Sequence, residues 1–154
     1  MSSDGSSSFL FQALPSRLRL SARQRRELQR FASDLTERVL NGRSFCCLLT
    51  NDRKLRQLNR EFLEHDYPTD VLSFPAGDSN GEAGELAISI ERADEQARQL
   101  EHSVLDEIRV LMLHGVLHLT GMDHERDSGE MARAEKKWRK EFGLPVTLIA
   151  RARR

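Results

Sequence analysis

Three of the chain's five histidines, His114, His118 and His124, fall in the eleven-residue run HGVLHLTGMDH. His114 and His118 are four apart, so on an α-helix they stand on one face, one turn above the other. Gly121 supplies the left-handed conformation that ends a helix, and the chain can then fold back to bring His124 to the same point. Three neutral imidazoles converging on one spot form a good ligand set for a transition metal, zinc above all. Three protein ligands leave one coordination position for water, the arrangement of a catalytic site rather than a structural one.

Two of these histidines sit in an otherwise apolar run, where an unpartnered imidazole costs roughly 1–3 kcal/mol, so a partner is required. The spacing matches the metzincin pattern H-E-x-x-H-x-x-G-x-x-H, including its glycine, but Gly115 stands where the glutamate base of a peptidase would be. Peptide hydrolysis would therefore need a displaced carboxylate, and Asp123 or Glu125, flanking the last histidine, are the candidates; the same two acids read equally as orienting that ligand by a hydrogen bond or as exposed turn acids. Zinc lowers the pKa of bound water to about 7 and polarises phosphoryl oxygens without an adjacent base. RNA fits such a site because its 2′-hydroxyl can act as an internal nucleophile.

The elements that must hold this run follow from periodicity and punctuation. A short strand is expected at Phe9–Gln12, and Ser21 and Gln24 form a capping box for a helix along which Leu28, Phe31, Leu35 and Val39 recur at helical spacing. Phe45–Leu49 reads as a buried strand. Asn51 or Asp52 caps a second helix with Leu55, Leu58 and Phe62 inward. Val71–Phe74 is a strand, Asn80-Gly81 a hairpin signal, and Leu86, Ile88 and Ile90 alternate as a half-buried strand. A third helix spans Arg92–Leu100, and Ser103 caps a fourth, apolar nearly all round, which carries the histidines through the middle of the domain. A fifth opens near Asp127–Glu130 and buries Met131, Ala134, Trp138 and Phe142. The expected fold is α+β: a small mixed four-stranded sheet packed with about five helices. A single domain over residues 9–150 is expected, with a flexible leading tail (1–8) and a basic tail (151–154).

Composition sets the class. With 38% hydrophobic and 31% charged residues, the 154-residue chain reads as a soluble globular protein. No apolar run crosses a membrane, and the first residues lack the basic start and apolar stretch of a signal peptide. Cys46 and Cys47 are adjacent on a strand, pointing oppositely, so they read as reduced core residues of a cytoplasmic protein. Net charge is +0, yet Arg17, Arg19, Arg23, Arg25, Arg26 and Arg30 cluster, as do the bases after Arg133, while acids collect between Asp78 and Glu107. Such segregation makes basic segments that can meet an RNA backbone, or simply solvated helix faces.

The run HGVLHLTGMDH, with PTDVLSFP and GELAIS upstream, closely resembles the YbeY family of bacterial ribosomal RNA maturation factors, whose hallmark H-G-x-L-H-L-x-G-x-D-H is met from His114 to His124. The likeness spans about Phe45 to Trp138. It implies an α+β sandwich and a zinc-dependent, single-strand-specific endoribonuclease acting in 16S ribosomal RNA 3′-end maturation and ribosome quality control. It also implies one zinc ion per chain, held by His114, His118 and His124, with ribosomal RNA and the small ribosomal subunit as partners. Two positions depart from relatives. Leu63 and His65 occupy positions where they carry an arginine, thought to meet RNA, and a lysine; Arg60, three residues before Leu63, is the candidate substitute or else a plain surface arginine. Glu85 replaces a usual aspartate. Two other readings stay open: a metalloprotease-like zinc hydrolase, and a ribosome-binding assembly factor whose zinc is structural, completed by Cys46, Cys47 or His65.

Overall fold

The computed structural model describes residues 7–63, 69–77, 81–123 and 126–145. Four strands, β1 (Ser8–Phe11), β2 (Ser44–Thr50), β3 (Val71–Pro75) and β4 (Glu82–Ser89), form one mixed sheet in the order β1-β2-β4-β3. β1 runs parallel to β2 and β2 parallel to β4, whereas β3 pairs antiparallel with β4. Five helices complete the α+β fold: α1 (Ala22–Arg38), α2 (Asp52–Leu63), α3 (Ile90–Leu100), α4 (Val104–Leu119) and α5 (Glu130–Glu141).

The period-two alternation of the strands sorts the helices into layers. Phe45, Cys47 and Leu49 of β2 and Leu86 and Ile88 of β4 enter the main core with α1 and α4. Leu72 of β3 and Ala87 of β4 point the other way, into a smaller core with Leu55 of α2. α4 is buried along almost its whole length, from Glu107 to Leu117, as its apolar sequence requires. Burying each of its large aliphatic side chains contributes about 1.5–3 kcal/mol.

Local chemistry fixes the element starts. The Ser21 hydroxyl accepts from Gln24 N at 3.0 Å while Gln24 Oε1 accepts from Ser21 N at 2.8 Å, and Ser103 accepts from Asp106 N at 3.0 Å. Asn51 rather than Asp52 caps α2, accepting from Lys54 N at 2.8 Å. For α5, the Asp127 carboxylate accepts from Gly129 N and Met131 N, both at 2.9 Å.

Several expectations are corrected. Ile90 belongs to α3, not to a strand, because Ser89 ends β4 and caps the helix by accepting from Arg92 N. β4 is buried on both faces over residues 86–89, not half-buried, since helices cover both sides of the sheet there. Phe62 is 64% exposed and meets Phe74 edge-on at 6.1 Å instead of filling a core. Ala134, Trp138 and Phe142 are half-buried, with Met131 the deep anchor of α5. Ser7 and Ser8, assigned to the leading tail, belong to the fold: the buried Ser7 hydroxyl meets the Thr36 hydroxyl and accepts from Phe45 N at 2.9 Å. Residues 1–6 and 146–154, which hold the remainder of both expected tails, lie outside the described residues, as do His65 and Asn80 of the hairpin signal. Gly81, beside Asn80, has φ 74°. Among the described residues no helix is long and apolar enough to cross a membrane.

Candidate metal centre

The last turn and a half of α4 brings His114 and His118 together, their rings 4.8 Å apart and inclined at 76°. His114 is buried and His118 half-buried. The helix then closes by the expected left-handed reversal. Gly121, at φ 99°, donates from its N–H to His118 O at 3.0 Å, and Met122 N reaches Leu117 O at 3.3 Å. The chain is thus turned back at Met122 and Asp123. His124, the expected third ligand, and Glu125 lie outside the described residues.

Behind His114 stands a residue that the pattern of histidines does not announce. Glu135 of α5 places Oε1 2.7 Å from His114 Nδ1, and its Oε2 accepts from Arg139 Nη2 at 3.1 Å. All three side chains are nearly out of solvent, 7% exposed for His114, 15% for Glu135 and 10% for Arg139. A carboxylate only accepts, so the imidazole carries its proton on Nδ1 and keeps the Nε2 lone pair for a metal. Carboxylate–histidine pairs of this kind orient metal-binding rings and raise their basicity. A signal for Glu135 was present: it lies four residues after Met131 and four before Arg139, on the inward stripe of α5.

Gly115 explains the missing peptidase glutamate. A Cβ built there would lie 2.7 Å from Leu86 Cδ2 and 3.3 Å from Ser73 Oγ, and the Ser73 hydroxyl donates to Gly115 O at 3.2 Å. The residue after His114 therefore faces the sheet, where no carboxylate fits. Asp123, in the reversal, is half-buried and has Arg126 Nε 3.5 Å away.

The other candidates are spread over the fold. Arg60 is an exposed residue in the last turn of α2, the layer across the sheet from α4. Cys46 is half-buried and Cys47 fully buried on β2; among the described residues neither joins a group of three or more His, Cys, Asp or Glu able to hold a metal. Burial pushes the Cys47 thiol well above its ordinary value, with the adjacent Cys46 adding to the shift. Part of the charge segregation seen along the chain closes in space, since Arg17 and Arg98 both reach Asp94.

The donor set present fits zinc. Two convergent imidazoles, one buried and held in the metal-binding tautomer by Glu135, are borderline nitrogen ligands of the kind that ion takes.

Comparison with known proteins places the chain. The family model described as Endoribonuclease YbeY matches residues 17–143. The chain belongs to the YbeY endoribonuclease family. A relative named Endoribonuclease YbeY from Solibacter usitatus is 50% identical over 151 residues, covering 98% of each chain. One of the same name from Koribacter versatilis is 54% identical over 104 residues, 68% of each. The solution structure of TM1509 from Thermotoga maritima superposes with a TM-score of 0.57 at 23% identity, covering 93% of this chain and 99% of that one, a likeness of fold. That likeness agrees with the mixed four-stranded sheet and the five helices.

Proposed function

We propose that this YbeY family member is a zinc-dependent endoribonuclease that cuts single-stranded RNA and acts in the cytoplasm on the 3′ end of 16S ribosomal RNA and in ribosome quality control, with the small ribosomal subunit as partner. The observation that carries the reading is the His114–His118 pair with Glu135 behind it, on a chain whose relatives are named endoribonucleases. His114 Nε2 and His118 would hold one zinc ion, with His124 as the third ligand. Bound there, zinc supplies a Lewis acid for a phosphoryl oxygen and a water acidified toward neutrality.

The chain's own groups do the rest. Glu135 keeps the proton of His114 on Nδ1, and Arg139 fixes that carboxylate from its other oxygen. Gly115 lets α4 lie close against β3 and β4, with Ser73 and Leu86 directly beneath it. Basic side chains position the RNA backbone, a sequence-independent task, and Arg60 is the candidate among them to stand in for the arginine replaced by Leu63.

His114→Ala is expected to remove zinc from the purified protein and abolish cleavage of an unstructured RNA while leaving the circular dichroism spectrum intact; chelator should do the same to the parent. Cleavage by the variant at the parental rate would overturn the assignment, and cleavage of casein by the parent would favour a peptidase instead.

A further inference from the structure

Beside the histidines, the end of α4 forms one wall of a groove of about 280 Å³ lined by Leu117, Thr120, Met122, Leu40, Arg43 and Trp138. Its position relative to the metal centre follows from the chain. Thr120 and Met122 lie between His118 and His124, and Trp138 follows Glu135 by three residues, one turn further along the same side of α5.

The groove is built for a flat ring with a negative tail. Trp138 is half-buried and braced by Phe142, stacked on it at 5.6 Å and 25°. Leu40 and Leu117 are buried around the groove, so part of its surface is apolar and rigid. The cations are at the rim. Lys137 Nζ lies 4.6 Å from the indole centroid, and Arg38 Cζ lies 5.7 Å from the indole and 4.8 Å from the Phe142 ring while pairing with Glu141. Arg43 donates to the carbonyl of Glu82, a neutral partner that leaves its charge in place. Aromatic platforms edged by cations bind single-stranded nucleic acid by stacking a base and pairing the backbone.

We propose that this groove is a nucleobase subsite, in which single-stranded RNA stacks one base against Trp138, with Lys137 and Arg43 on the flanking phosphates. The base would displace the flexible Lys137 ammonium from the indole, and the strand would continue toward His118. This inference rests on the endoribonuclease reading and adds to it the place where the substrate is gripped next to the point of cleavage.

Trp138 is the chain's single tryptophan, so its emission reports on this groove alone. Titrating the full-length protein with an unstructured oligoribonucleotide should quench that emission, saturating at the same concentration as the anisotropy of labelled RNA. Trp138→Ala should weaken binding about fivefold to a hundredfold, the range expected for one stacked base, with zinc content unchanged. Trp138→Phe, which keeps an aromatic face, should recover most of the affinity and guards against a folding defect in the alanine variant. An oligomer lacking bases, a ribose-phosphate chain, should leave the emission unaltered. Unquenched emission at saturating RNA, with both variants binding and cutting like the parent, would overturn the subsite and leave the enzyme reading standing. A parent that neither binds nor cuts RNA would overturn both.

Discussion

Replacing Glu135 by glutamine is the sharpest test of the proposed metal centre. The carboxylate satisfies two donors at once, His114 Nδ1 at 2.7 Å and Arg139 Nη2 at 3.1 Å, one on each oxygen. An amide of the same shape offers one oxygen and one NH2 group. If its oxygen stays on His114, the NH2 faces the guanidinium, donor against donor; if it turns to Arg139, the NH2 faces Nδ1 and favours the wrong imidazole tautomer. Either way a bond to a charged acceptor, about 1.5–3 kcal/mol, is lost or replaced by a neutral one of about 1 kcal/mol. Losing such a partner behind a metal-binding histidine lowers metal affinity about 10- to 100-fold. Competition between the metal-free protein and a chromophoric chelator, at fixed pH, measures this directly. Thermal unfolding of the same samples without metal separates it from stability, where the nearly buried Arg139 left unneutralised should cost about 3–5 kcal/mol in Glu135→Ala. Zinc affinity of Glu135→Gln within twofold of the parent would refute the role given to Glu135.

Gly115→Ala should destabilise the fold by about 1–3 kcal/mol, because its Cβ would press on Leu86 Cδ2 at 2.7 Å, partly offset by up to about 1 kcal/mol of better helix propensity. Gly115→Glu, which restores the peptidase motif, should lower the denaturant midpoint further and yield no proteolytic activity, since the side chain is directed at the sheet. In the native protein a thiol reagent should label Cys46 and spare Cys47, both reacting once the chain is unfolded in denaturant. The raised Cys47 value carries a sign as well. Above the ordinary thiol value, about 8.5, the unfolded chain releases that proton while the folded one retains it. Urea midpoints should therefore fall as pH is taken above that value, and Cys47→Ala should show a smaller fall.

Much of this fold was legible because its signals are local. Ser21 with Gln24 and Ser103 before an apolar run are statements about neighbouring atoms, and the hydrogen bonds form where those residues stand. The helix and its two histidines followed from one spacing and one glycine. What escaped was either a local cap masked by a stronger periodic pattern or a contact across the sequence. Ile90 continues the alternation of β4, and only the cap made by Ser89 shows that the strand has already ended. Phe62 keeps the period of α2 but overshoots the small core that Leu55, Leu72 and Ala87 fill.

Glu135 is the most instructive of these residues, because in sequence it is one acid among the bases that follow Arg133. Its meaning comes from a helix that starts several residues after the histidine motif and sets Glu135 of its inward stripe against His114. The buried imidazole sets the condition: a ring with one nitrogen committed to a metal must give its other N–H to something, and at this depth water is scarce. A sequence that places two histidines in the apolar, buried half of a helix therefore demands an acceptor from elsewhere. The place to seek it is an inward-facing acid on the next amphipathic helix, the position that Glu135 holds between Met131 and Arg139. Trp138 follows on the same stripe, and one helix face thus serves both the His114 ring and the groove beside it.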